Sequence, residues 1–217
     1  MKQVIMILCT IFLMISTASA VPSLQLYIPG STYDGSSDTW VTNQSSFDLW
    51  VVAANLDHDA IYDIGLVAAL ADGVTPVDGG LTITAEGGTP SIFDAVDFLY
   101  GTPPPDDPLP PHDIYPTYYI DTTIAAVTTS GPFVPVPDYT SPDGGTSLYG
   151  QIFKFHVNTT YDYVHFDTYG YLNDRNNPIR TFAPFSHDAE TSVPEPASLL
   201  LFGVGMIGAG IIRRFKK

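Results

Sequence analysis

The chain has 217 residues, about one and a half average domains, with 8 Lys+Arg against 23 Asp+Glu and a formal net charge of −15. That field repels nucleic acid, the 45% hydrophobic content excludes a solvated disordered chain, and a single cysteine excludes a disulfide framework. With 14% charged residues, 18 Gly and 19 Pro, the composition also argues against a helical bundle or coiled coil. The charges are unevenly placed. Lys2 opens the chain and Arg213, Arg214, Lys216 and Lys217 close it. Between Val21 and Ser192 only Lys154, Arg175 and Arg180 are basic, against 22 acidic residues, a net of −19.

Met1 to Ala20 reads as a secretory signal peptide. Lys2 supplies the positive start, Val4 to Ile15 is apolar, and Ala18 and Ala20 occupy the small-residue positions that signal peptidase needs, so cleavage is expected after Ala20. An apolar run of 12 is too short to cross ~30 Å of hydrocarbon. Cys9 lies inside this run, preceded by Leu8 where a lipoprotein would need a small residue. The mature chain is therefore expected to hold no cysteine.

Val21 to Ser192 reads as one domain in which strand patterns dominate. Leu24, Leu26 and Ile28 alternate. Phe47, Leu49, Val51 and Ala53 alternate too, but Trp50 and Val52 make the second face apolar, as in a central strand. Tyr62, Ile64, Leu66, Ala68 and Leu70 form a third apolar face, Leu81 and Ile83 a short fourth. Tyr149, Phe153, Phe155 and Val157 alternate against Lys154 and His156, and Val164 and Phe166 against His165 and Asp167. Turn signals separate the runs at Asp34-Gly35, Asp72-Gly73, Gly79-Gly80, Gly87-Gly88 and Asp143-Gly144. Ile92-Phe93, Val96 and Leu99-Tyr100 have helical spacing and suggest one short helix. Gly101 to Pro116 and Gly131 to Pro142 are Pro-rich and are expected to be extended surface loops. The pattern predicts an all-β fold, an antiparallel β-sandwich of immunoglobulin-like or jelly-roll-like type.

Several polar groups invite chemistry. Asn55, Asp57, Asp59 and Asp63 place oxygen ligands at alternate positions, which suits Ca²⁺. Ala60 stands where a calcium loop needs Gly and Leu66 where it needs Glu, so this is no EF-hand, and the other reading is a solvated acidic turn. Asp106, Asp107 and Asp113 form a weaker oxygen cluster. His165 and Asp167 share a strand face and make a candidate dyad, with His156 as a third metal-ligand candidate; a solvent-exposed polar face explains them more simply. Ser186-His187-Asp188 is not a triad, because adjacent side chains diverge and no G-x-S-x-G elbow is present. Tyr161, Tyr163, Tyr169 and Tyr171 crowd one region and suit either strand packing or stacking on sugar rings. No catalytic residue is assigned, and an enzyme is not expected.

The tail from Val193 carries Val193-Pro194-Glu195-Pro196, an apolar run, and the basic cluster Arg213, Arg214, Lys216 and Lys217. As a helix, Ala197 through Phe215 is 19 residues, roughly 28 Å, just long enough to span, with the basic end cytoplasmic. Gly203, Gly205 and Gly208 match G-x-G-x-x-G, but inside an apolar run they suit helix packing, not a dinucleotide. These features resemble the PEP-CTERM sorting signal of Gram-negative bacteria. The resemblance implies recognition by an exosortase, a membrane cysteine transpeptidase, passage through the inner membrane, and loss of the tail at the cell surface. Within the domain, the stretch from Leu24 to Asp34, Thr39-Trp40-Val41, Phe47 to Trp50, Val164 to Asp167 and Phe182 to Glu190 are similar to the choice-of-anchor N proteins. That group implies a surface or extracellular-matrix setting, such as a biofilm, and no established activity. The organisation expected is thus a signal peptide (1–20), a β-sandwich (21–192) and a sorting signal (193–217), with an extracellular polysaccharide or Ca²⁺ as the candidate ligands.

Overall fold

Among the described residues, the runs that alternate apolar with polar residues or are apolar on both sides form strands. A computed structural model describes residues 23–37, 39–54, 56, 60–103, 114–127, 133–136, 148–172, 179–182 and 188–192. In chain order the strands are β1 (Ser23–Tyr27), β2 (Thr32–Asp34), β3 (Thr39–Thr42), β4 (Ser46–Ala54), β5 (Ile61–Leu70), β6 (Leu81–Ala85) and β7 (Pro90–Phe93). After a 3₁₀ turn at Ala95–Asp97 come β8 (Leu99–Gly101), β9 (Thr117–Val127), β10 (Val134–Val136), β11 (Leu148–Thr159), β12 (Tyr163–Leu172), β13 (Ile179–Phe182) and β14 (Asp188–Ser192). A six-stranded sheet runs β1-β4-β11-β6-β7, with β10 also on β11. An eight-stranded sheet runs β2-β3-β14-β12-β5-β9-β8, with β13 also on β12.

The two sheets pack face to face. Leu24 and Leu26 of β1, Phe47, Leu49 and Val51 of β4, and Phe155 and Val157 of β11 meet Leu66, Ala68 and Leu70 of β5 and Val164 and Phe166 of β12 in one core. Phe47 and Phe166 touch edge to face across the layers, with ring centroids 5.9 Å apart, the arrangement favoured by the ring quadrupoles. The expected all-β sandwich is present among the described residues. Its expected antiparallel character needs one correction: β14 lies parallel to β3, with Ala189 opposite Trp40 and Glu190 opposite Val41. These strands are far apart in the chain, so no hairpin dictates their relative direction.

Three further expectations are corrected. The helix expected from Ile92 to Tyr100 is instead the end of β7, one 3₁₀ turn and β8. Asp94 accepts from the Gly79 amide at 3.0 Å, Asp78 accepts from Ala95 at 3.0 Å, and Asp97 accepts from Asp94 at 2.8 Å. These local bonds satisfy the backbone in a turn that a longer helix would break, and Val96 is left 88% exposed. The Pro-rich stretches do more than loop. Val134–Val136 pairs with β11, and Val136 is fully buried with Val52 and Ala54 on the outer face of the six-stranded sheet. Ile114 and Tyr115 pack on Val67, Ala69 and Tyr119 on the outer face of the eight-stranded sheet. Finally, β9 was not anticipated, although it pairs along β5 over most of its length. The signal peptide and the C-terminal tail lie outside the described residues.

Gly65 shows how tightly the eight-stranded sheet is fitted. It stands opposite Tyr169, whose ring covers the space a side chain would fill: a Cβ there would lie 2.5 Å from the ring. The aromatic thus replaces the missing side chain. Gly65→Ala is expected to lower stability by about 1–3 kcal/mol, read as a shift in the urea midpoint. Gly35→Ala, where nothing lies within 4 Å, is expected to change it by less than about 0.5 kcal/mol. Equal effects would contradict the fit.

Candidate functional site

Among the described residues, the densest set of titratable groups lies on the outer face of the eight-stranded sheet, where β12 supplies every second residue. Tyr163, His165, Asp167 and Tyr169 project from one side of β12 because side chains alternate along a strand. In one row across the sheet, Val41, Glu190, His165, Ala69 and Tyr119 lie in register. In the next, Asp167, Val67 and Asp121 do. Tyr115, arriving from the first Pro-rich stretch, closes over this band and donates its hydroxyl to Asp167 Oδ2 at 2.6 Å. Tyr163 donates to Glu190 Oε2 at 2.9 Å, and Tyr169 to both oxygens of Asp121 at 2.9 and 3.0 Å. His165 Nε2 is 3.4 Å from Asp167 Oδ1, and its Nδ1 is 3.8 Å from Glu190 Oε2.

The candidate dyad of His165 and Asp167 is therefore assembled, but its expected solvent exposure is corrected: His165 is 5% exposed and Asp167 2%. The tyrosine lid and the apolar neighbours Val67 and Ala69 exclude water, and the carboxyl groups are tolerated because each accepts a hydroxyl. Among the crowded tyrosines, Tyr161 belongs to the core, edge to face with Phe98 at 6.1 Å, and Tyr163 and Tyr169 are cross-strand ties. Reading the sequence missed Tyr115, Asp121 and Glu190 as members of this band. The repeated Tyr-x-His-x-Asp-x-Tyr alternation from Tyr163 was the signal available for the rest.

His156 does not join them. It projects from the outer face of the other sheet, where its Nδ1 is 2.9 Å from Asp48 Oδ1 and its Nε2 3.1 Å from Ser46 Oγ. The three-ligand metal idea linking His156 to His165 is thus corrected: the sandwich separates them. Among the described residues, no group of three or more His, Cys, Asp or Glu is arranged to hold a metal ion. Of the candidate Ca²⁺ ligands, Asn55, Asp57 and Asp59 lie outside the described residues. Asp63 is in β5 with φ +46°, one residue before the register shift between Ile64 and Gly65 in its pairing with β9. Asp106, Asp107, Asp113, Ser186 and His187 also lie outside the described residues, as do Ala18, Ala20, the Val193 to Pro196 motif and the terminal basic cluster.

Two measurements test the tyrosine band. Tyr115→Phe removes the hydroxyl that meets a buried carboxyl and is expected to cost about 1–3 kcal/mol in urea unfolding; a change below about 0.3 kcal/mol would contradict its role. Burial pushes the Tyr163 hydroxyl far above the ordinary phenol value of 10.0, with Glu190 and Asp167 adding to the rise and His165 opposing it. Burial, then Asp121, raises Tyr119 in the same direction. Unfolded phenols ionise first, so stability holds below about pH 10 and falls as pH rises through the unfolded towards the folded value. The fall in melting temperature between about pH 9 and about pH 12 is expected to be shallower in Tyr163→Phe; identical slopes would contradict the burial argument.

No curated protein compared with the chain matches it. Among solved structures, a protein that catalyses macrocyclization in alchivemycin A biosynthesis, AvmM, is 12% identical over 80% of this chain and 89% of its own, with a TM-score of 0.37. The C-terminal domain of the antigen I/II polypeptide BspA of Streptococcus agalactiae is 12% identical over 79% of this chain and 50% of its own, with a TM-score of 0.27. The pilus backbone RrgB of Streptococcus pneumoniae is 10% identical over 73% and 56%, with a TM-score of 0.25. The chain thus spans about half the length of the latter two. One family model matches, and it begins at Ser192, the last residue of β14: residues 192–217 are a PEP-CTERM protein-sorting motif, which implies export and recognition by an exosortase.

Proposed function

We propose that the mature chain is a non-catalytic surface or extracellular-matrix β-sandwich of a Gram-negative bacterium. It is delivered across the inner membrane by the Met1 to Ala20 signal and released from its tail by exosortase cleavage near Pro194-Glu195-Pro196. The observation that carries this reading is the sorting motif following directly on the last strand of the folded domain. Pro194 and Pro196 lack the amide donors that a strand or a helix needs, which suits a segment that a peptidase must grip. A place among the choice-of-anchor N proteins is part of the same proposal, supported by the two ends of the domain quoted above. The separation of His156 from His165 and the burial of the latter favour a structural over a catalytic role.

Mass spectrometry of surface material is expected to recover peptides through β14 and none containing Leu199 to Lys217. Pro194→Ala combined with Pro196→Ala is expected to keep the whole chain in the inner membrane fraction. Recovery of the intact tail from the surface would overturn the sorting reading.

A further inference from the structure

We infer that the outer face of the six-stranded sheet carries a binding subsite for a neutral polysaccharide, centred on Trp50. One end of this face is closed by Val136 of β10 on Val52 and Ala54. Beyond that cover lies a depression of about 310 Å³ lined by Asp48, Trp50, Thr84, Glu86, Lys154 and His156. The sheet register builds it: Trp50 stands opposite Lys154, and His156 lies between Asp48 and Thr84. Unlike the tyrosine band, its polar groups stay in water. The side chains of Lys154 and Glu86 are 40% and 72% exposed, those of His156 and Asp48 48% and 61%.

The chemistry of the lining selects the ligand. Lys154 Nζ lies 5.2 Å from the Trp50 ring centroid and 3.6 Å from Glu86 Oε1. A half-buried indole is thus rimmed by two carboxylates, an ammonium and an imidazole. A pyranose ring matches this once the Lys154 ammonium, which lies over the Trp50 ring, swings to its rim: the C–H face of the sugar then stacks on the indole in its place, and its hydroxyls both donate to Asp48 and Glu86 and accept from Lys154 and His156. Exposed ion pairs contribute little, so hydroxyls exchange for them at small cost. A lipid tail would strand these charges, and the −19 field of Val21 to Ser192 repels an anionic chain. The volume sits at the small end of ligand pockets, which fits one or two sugar units of a longer chain and millimolar affinity.

The protein has two tryptophans. Trp40 is 7% exposed in the core, so a ligand-dependent change in emission reports Trp50. The full-length chain in detergent is titrated with hexasaccharides of glucose in α-1,4 and β-1,4 linkage, of N-acetylglucosamine and of xylose, and with oligogalacturonate. Saturable quenching or enhancement by at least one neutral chain is expected. Trp50→Ala, followed by calorimetry, is expected to weaken binding about tenfold or more. Lys154→Met and Glu86→Gln, exposed positions that leave the core untouched, are each expected to weaken it about threefold or more. The proposal is overturned if no neutral chain binds, if oligogalacturonate binds more tightly than all of them, or if affinity is unchanged in both exposed variants. Binding by the purified chain is independent of tail cleavage, so failure here leaves the sorting reading standing and failure of sorting leaves this one.

Discussion

Tyrosine hydroxyls meeting carboxyl groups hold together the outer face of the eight-stranded sheet, and much else follows from them. Tyr163 ties β12 to β14 through Glu190, Tyr169 reaches across β5 to Asp121 of β9, and Tyr115 pins the end of a Pro-rich stretch to Asp167. The expected mature chain has no cysteine, so cross-strand ties of this kind take the place that disulfides fill in many exported domains. They also explain how an acidic domain buries carboxyl groups at all: a hydroxyl donor at 2.6 to 3.0 Å offsets part of the loss of water.

The two outer faces consequently differ in kind. On the eight-stranded sheet, polar groups face one another under a lid and are used up in holding strands in register. On the six-stranded sheet, Asp48 with His156 and Lys154 with Glu86 pair at the water surface around Trp50, with their side chains exposed. Chemistry-bearing residue types are similar on both sides, so burial decides which set is structural and which is presented to the surroundings.

Strands with an unambiguous period were readable before the structure. Leu24 to Ile28, Phe47 to Ala53 and Val164 to Asp167 each declared a face, and Trp50 with Val52 announced a strand covered on both sides. What the residues did not announce was what covers the second face. Alternation distinguishes sides of a sheet, but not water from a lid contributed fifty residues away, so His165 and Asp167 read as exposed when Tyr115 buries them. The 3₁₀ turn was hidden for a related reason: Val96 and Tyr100 have helical spacing, yet both are exposed, and Asp78 and Asp94 fix the turn through local bonds. The run from Thr117 to Val127 lacked strict alternation, and Asp121 in its middle concealed a strand that lies one place in from the edge of its sheet, between β5 and β8.

β14 sits between β12, to which it runs antiparallel, and β3, to which it runs parallel, and its final residue is where the sorting motif begins. Ladder hydrogen bonds lie across the strand direction. Tension entering through that end of the chain pulls β14 along its own axis, so the bonds on both flanks are strained in shear together instead of parting one after another as at the tip of a hairpin. A domain tethered to a surface through this strand resists drag by flowing liquid without any covalent cross-link in its interior.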